Sequence, residues 1–251
     1  MIAVEGARVI YPNGMEALKP CTLRFEGGAF TVLLGASGAG KSTLLRSLNG
    51  LVPLSEGRVM AEGLGEISHK LRAHRSRTGM IFQQHQLIGR RTVLANVLMG
   101  RLGHHSGLRT LLPFSEAEKR LALAAIERVG LLDYALRRAD QLSGGQQQRV
   151  GIARALVQQP RIILADEPVA SLDPATAERV LGLLHGICRD DGLTAIVSLH
   201  QLDLARRFAD RIIGIAGGEV VFDGPPPALS AAHVARIYGG APQPDLHLEL
   251  A

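Results

Sequence analysis

FTVLLGASGAGKS, Phe30 to Ser42, decides the fold. Its first five residues form a short apolar run, the pattern of a buried strand. A glycine-rich loop follows, and Lys41 to Leu51 reads as a helix. Gly35 to Ser42 fits the phosphate-loop pattern G-x-x-x-x-G-K-[ST] in the strand-then-helix setting that gives the pattern meaning. Gly35, Gly38 and Gly40 permit positive φ and a close backbone approach. Successive N–H groups of the loop, Ser37 and Ala39 included, then wrap a β-phosphate, and the helix N-terminus adds positive potential. Lys41 reaches the β- and γ-phosphates as a compact cation. Ser42 is placed to ligate Mg²⁺, and Thr43 to contact the α-phosphate. A nucleoside triphosphate with its Mg²⁺ is the expected ligand.

Outward from the loop, strand-like and helix-like stretches alternate, which argues for an α/β protein. Ile2 to Tyr11 and Leu18 to Glu26 read as strands joined by the turn Pro12-Asn13-Gly14. Gly57 to Gly63 reads as an edge strand and Gly79 to Phe82 as a buried one. From about Gln86 to Gln159 helical spacing dominates and strand signals vanish, so this segment reads as a mostly helical insert. Alternation then resumes with a strand at Ile162 to Ala165, a helix at Pro174 to Arg189, a strand at Thr194 to Leu199 and a helix at Leu202 to Phe208. A hairpin follows over Arg211 to Phe222, then a short helix near Ala232 to Tyr238.

RIILADEP, Arg161 to Pro168, is an apolar strand that ends in two carboxylates. Successive strand side chains alternate, so Asp166 and Glu167 are expected to face differently and do different work. Asp166 is placed to hold Mg²⁺ in the manner of a Walker B aspartate. Glu167, one residue further out, is placed to orient or deprotonate an attacking water.

LSGGQQQR, Leu142 to Arg149, separates this chain from most phosphate-loop proteins. Ser143 can cap a helix, while Gly144 and Gly145 leave its first N–H groups bare, with Gln146 following. That makes a second anion site. The motif resembles the signature of ABC (ATP-binding cassette) ATPases, and further matches follow in that family's order. Tyr11 resembles the aromatic that stacks on adenine. Gln83, after GMIF, resembles the Q-loop glutamine, with Gln84 its neighbouring competitor. Ser171-Leu172-Asp173 resembles the D-loop. His200, at the end of TAIVSL, resembles the switch histidine that touches the γ-phosphate. The resemblance covers Ile2 to Gly224.

The resemblance implies a P-loop NTPase (RecA-like) α/β core with an antiparallel β subdomain and an inserted α-helical subdomain. The cassette would occupy 1–240, with the helical part at about 86–159 and a short tail at 241–251. The implied cofactors are ATP and Mg²⁺, with Ser42, Gln83 and Asp166 at the metal and Glu167, His200 and Gln83 at the reaction. One chain holds one phosphate loop and one signature, so two composite sites require a second copy arranged head to tail. Ser143, Gly144, Gly145, Gln146 and the Asp173 loop would then face ATP held by the partner.

The stretches IFQQHQLIGRRTVLANVLMGRLG and ADQLSGGQQQRVGIARALVQQPRIILADEPVASLDP look like those of phosphonate-importer ATPases. That resemblance implies membrane permease subunits, a periplasmic or extracellular binding protein, and a place at the cytoplasmic face of the inner membrane. ATPases of other importers and of lipoprotein or export systems share the core motifs. A non-transport ABC ATPase acting on nucleic acid or the ribosome is a further reading, disfavoured by the absence of a long coiled coil between the motifs.

Composition agrees with a folded protein. The chain has 251 residues, 46% hydrophobic and 4% aromatic, which suits a folded core and excludes a mainly disordered protein. No apolar run approaches the roughly 18 residues of a membrane span, and MIAVEGARVIY lacks the pattern of a signal peptide. Net charge is +5, without a basic block interleaved with aromatics, so nucleic acid is not expected as a partner. Cys21 and Cys188 read as reduced, buried thiols. His104-His105, in an expected loop over His104 to Pro113, reads as surface rather than metal site, with no carboxylate partner evident.

Overall fold

The computed structural model describes residues 1–84, 86–105, 107 and 112–239. The boundary expected at 240 and 241, and part of the loop expected between His104 and Pro113, lie outside them. A four-stranded antiparallel sheet holds β1 (Ile2–Ile10), β2 (Glu16–Phe25), β4 (Glu56–Ala61) and β5 (Gly65–Glu66), in the order β2-β1-β4-β5. A six-stranded sheet holds β3 (Phe30–Leu34), β6 (Thr78–Ile81), β7 (Ile162–Ala165), β8 (Thr194–Leu199), β9 (Arg211–Ala216) and β10 (Glu219–Gly224), in the order β10-β9-β3-β8-β7-β6. All its pairings are parallel except the β9–β10 hairpin.

The helices are α1 (Lys41–Leu48), α2 (Leu71–Arg75), α3 (Val93–Leu98), α4 (Glu116–Arg128), α5 (Gly144–Leu156), α6 (Pro174–Asp190), α7 (Leu202–Phe208) and α8 (Ala231–Tyr238). None of the described helices is long and apolar enough to cross a membrane. Between β6 and β7 the described residues contain helices and no strand of either sheet.

Strand alternation divides the interior in two. On one face of the large sheet, Val32, Leu34, Ile163, Ala165, Ala195 and Val197 join residues of α3 to α8 in one apolar cluster. On the other face, Leu33, Leu164 and Ile196 join Leu44, Leu45 and Leu48 of α1 and the inner residues of β1, β2 and β4. The second cluster clamps α1, and with it the loop that precedes it, between the two sheets.

Two sequence expectations change. β4 is interior, not an edge, because the two-residue β5 pairs beyond it through Met60↔Glu66 and Ala61↔Gly65. Gly63 and Gly65, at φ 72° and 76°, let the chain reverse so tightly that hydrophobic patterning does not register the extra strand. His105 does have a carboxylate partner: its Nε2 bonds Glu118 Oε1, and the ring lies beside Phe114. Glu118 also closes the cap of α4 through Ser115. Burial raises the Glu118 pKa, but bonds from Ser115 and His105 outweigh it and bring the carboxyl down to about 2. A pair of this kind serves packing, and no cluster of three or more metal-binding side chains exists among the described residues. Cys188 is buried and Cys21 half-buried; both are free thiols.

Candidate nucleotide site

Three adjacent parallel strands end on one edge of the sheet. β3 pairs β8 through Leu34↔Leu199, and β8 pairs β7 through Val197↔Ala165. Their carboxyl ends therefore deliver the phosphate loop, His200 and Asp166-Glu167 to one crevice, the usual ligand position of an open parallel sheet.

Sterics explain the loop glycines. A Cβ on Gly35 would lie 2.4 Å from the Ile215 carbonyl oxygen, and one on Gly40 would lie 2.6 Å from that of Ala17. Gly40 also sits at φ 107°, which side chains avoid. Gly38, at φ 77°, faces open space, with no atom within 4 Å of its would-be Cβ. The loop is thus tight beneath and open above, a cradle for a phosphate.

Lys41 is buried, and its Nζ donates to the carbonyls of Gly35 and Ala36 at 2.8 Å each. It lies 3.4 Å from Glu167 Oε1. Burial pushes its pKa down, and the nearby charges of Glu167 and Asp166 oppose that shift. Ser42 Oγ donates to Asp166 Oδ1 at 2.6 Å, and Arg46 donates to Oδ2 at 3.1 Å. Asp166 is almost wholly buried, so these bonds offset a large desolvation cost. A hydroxyl beside a carboxylate is a hard-oxygen donor pair of the kind Mg²⁺ takes together with phosphate oxygens, so the residues present fit the metal. The Tyr11 hydroxyl is 3.2 Å from Thr43 Oγ1, which sets the tyrosine at the first turn of α1.

The alternation argument does not extend to Glu167. β7 ends at Ala165, and Glu167 turns the chain at φ 46°. The left-handed residue brings its carboxylate back to Lys41 while Asp166 reaches Ser42, so both acids meet the phosphate loop through different partners.

The signature residues form a second cluster. Ser143 caps α5, its Oγ accepting from the Gln146 N–H while Gln146 Oε1 accepts from the Ser143 N–H. Asp173 caps α6 by accepting from the Thr176 N–H at 3.0 Å. Hydrogen bonds from Thr176 pull the Asp173 pKa down. The two helix starts touch: a Cβ on Gly145 would be 2.5 Å from Thr176 Cγ2, and one on Gly144 would be 3.5 Å from Leu172. Among the described residues, no hydrogen bond or ion pair joins Ser143–Gln146 to Gly35–Ser42.

Gln83 and Gln84 are both exposed and line one groove of about 560 Å³ with Gln147 and Ser171. No hydrogen bond links Gln83 to Ser42 or Asp166. His200 is half-buried, and its backbone carbonyl accepts from the Tyr238 hydroxyl of α8 at 2.7 Å. Burial pushes that phenol up to about 12. The His200 ring has no hydrogen-bond partner among the described residues.

Three site residues escaped the sequence reading. Arg46 lies four residues after Ser42, on the same face of α1, a spacing that signals a shared target. Ser198 is one of two hydroxyls in the run TAIVSL, with Thr194, and nothing local marks it out. Thr176 left no signal, because only packing places it against Gly145.

The ABC transporter family model matches residues 18–170. The chain is 61% identical to the phosphite import ATP-binding protein PxtA of Stutzerimonas stutzeri, over 96% of this chain and 88% of that one. It is 57% identical to the phosphonates import ATP-binding protein PhnC 3 of a Nostoc species, over 96% and 93% of the two chains. Among solved structures, the ADP conformation of an ABC transporter cassette superposes with a TM-score of 0.84 at 29% identity, covering 96% of this chain and 98% of that one. A dimeric bacterial ABC transporter cassette superposes with a TM-score of 0.78 at 35% identity, covering 90% and 98%. Motif order, the convergence of three strand ends on the phosphate loop, and these matches agree: the chain belongs to the ABC transporter family, as one of its ATP-binding cassettes.

Proposed function

We propose that this chain is the ATP-hydrolysing subunit of an importer for phosphite, phosphonate or a related phosphorus oxyanion. The meeting of Lys41 and Ser42 with Glu167 and Asp166 carries the ATPase reading. The substrate class rests on the relatives, which are named for phosphite and phosphonate import.

In this reading the loop N–H groups and Lys41 hold the β- and γ-phosphates, and Tyr11 stacks on adenine. Lys41 exchanges its bonds to Gly35, Ala36 and Glu167 for phosphate oxygens, which frees the Glu167 carboxylate to take a proton from the attacking water. Mg²⁺ bound at Ser42 and Asp166, with Gln83 as a third ligand, would neutralise charge on the β- and γ-oxygens. His200 reaches the γ-phosphate from the adjoining strand end. Ser143, Gly144, Gly145 and Gln146 present an N-terminal helix turn to ATP on a second copy, with Asp173 beside them. Two such sites close a twofold dimer.

Residues about 86–159 serve as the helical subdomain that meets the permease. A groove of about 740 Å³ between this subdomain and the α2–β6 region is lined by Leu71, Phe82 and Met99 together with Arg72, Arg75 and Arg154, and by no carboxylate among the described residues. It suits an amphipathic permease segment carrying acidic side chains. The cassette then sits at the cytoplasmic face of the inner membrane, fed through the permease by a binding protein.

The test is ATPase activity of the complex with its cognate permease, in lipid nanodiscs with the loaded binding protein. Phosphite or a phosphonate should stimulate turnover, and sulfate and amino acids should not. Stimulation by an amino acid, or by no phosphorus oxyanion, would defeat the substrate assignment.

A further inference from the structure

Ser198 is fully buried in β8, on the face that carries Ile196 of the α1-side cluster. A hydroxyl in such a place costs stability unless it is hydrogen-bonded, so its partners indicate its use. Its Oγ accepts from the backbone N–H of Glu167 at 2.8 Å. Its single proton is directed at Asp166 Oδ1, 3.2 Å away, with the Ala165 carbonyl at 3.5 Å as the longer alternative. One hydroxyl thus touches the residue that carries the proposed base and the carboxylate that bonds Ser42.

Glu167 needs such a contact. At φ 46° it occupies a conformation that a non-glycine residue keeps only when its surroundings impose it. The N–H leaving the end of β7 is pinned by Ser198, and the direction of the Glu167 side chain follows from that pin. Ser198 also lies one residue before the end of β8 at Leu199, and His200 follows directly, so the geometry couples both acids to the strand end that presents the histidine.

We propose that Ser198 is a positioning residue for ATP hydrolysis: it holds Glu167 in its left-handed turn and fixes Asp166 against Ser42. This rests on Glu167 being the general base. Ser198 itself contacts neither nucleotide nor water in this role, so its loss should lower kcat and spare nucleotide binding.

The experiment compares Ser198→Ala and Ser198→Thr with the unaltered chain in the permease complex. In Ser198→Ala, kcat for ATP should fall about tenfold to a hundredfold, the scale set by misplacing a reacting group by about 1 Å, while KM for ATP changes less than about twofold. Ser198→Thr keeps the hydroxyl and should recover most of kcat. In the nucleotide-free protein, hydrogen exchange at the Glu167 amide should quicken in Ser198→Ala and stay slow in Ser198→Thr. If the added methyl prevents Ser198→Thr from folding, kcat and amide exchange of Ser198→Ala decide. Unchanged kcat in Ser198→Ala overturns the proposal. So does a fall in kcat without faster Glu167 exchange, because the hydroxyl would then act on stability alone. Glu167→Gln separates the two assignments. If that variant hydrolyses ATP normally, the base assignment is wrong; if it is inactive and Ser198→Ala is normal, only the positioning role is wrong.

Discussion

The phosphate-loop end and the signature end are both helix N-termini, and they are completed in opposite ways. At the first, Lys41, Ser42 and Arg46 engage Glu167 and Asp166, so cation and carboxylate come from within one chain. At the second, Ser143 and Gln146 satisfy one another and Thr176 fills the space a Cβ on Gly145 would need, with no charged side chain bonded to the turn among the described residues. An N-terminus capped by neutral groups keeps the positive potential of its backbone. In the proposed function the first region is a site in its own right, and the second is the surface that meets an anion brought by another molecule.

The largest expected effect comes from breaking the first region. Glu167→Gln should reduce ATP turnover at least about a hundredfold, as loss of a general base does. It should also leave binding intact and accumulate an ATP-dependent dimer on size-exclusion chromatography. Near-normal hydrolysis, or no dimer, would break the contrast between the two ends. A smaller effect separates fold from function in the second region. Gly145→Ala drives a methyl against Thr176 and should destabilise the chain by about 1–3 kcal/mol, the usual scale for overpacking. Thr176→Ser removes the opposing methyl and should restore the melting temperature of the double variant. If turnover returns with it, Gly145 serves only the contact between α5 and α6. If the melting temperature returns without turnover, the glycine also faces the partner's ATP.

Much of this was legible in the residues, and the limits have physical causes. The phosphate loop, Asp166-Glu167 and the Ser143 cap are local patterns, in which neighbours along the chain are neighbours in space. The placing of β3 beside β8 left no local signal, because the two strands are distant in sequence and meet only in the sheet. Ser198 and Arg46 were harder because their meaning depends on Asp166, which is distant in sequence and adjacent only across the sheet or from α1. β5 was missed because two residues are too few to show a period. Glu167 and Asp166 take different partners as expected, but the cause is the left-handed turn and not alternation, which holds only while the strand lasts, and β7 stops two residues earlier.

The left-handed backbone of Glu167 has an evolutionary consequence. A left-handed conformation costs a non-glycine residue about 1–2 kcal/mol, and glycine is largely spared it. Glu167→Gly should therefore melt higher, by calorimetry, than Glu167→Gln, which loses the same ion pair to Lys41 but keeps the strained backbone, and neither should hydrolyse ATP. At this codon a change to glycine relieves backbone strain and, in the proposed function, ends transport. In that reading a gene copy released from selection would decay readily into a folded cassette that no longer hydrolyses ATP, and demand for the substrate is what keeps glutamate in that turn.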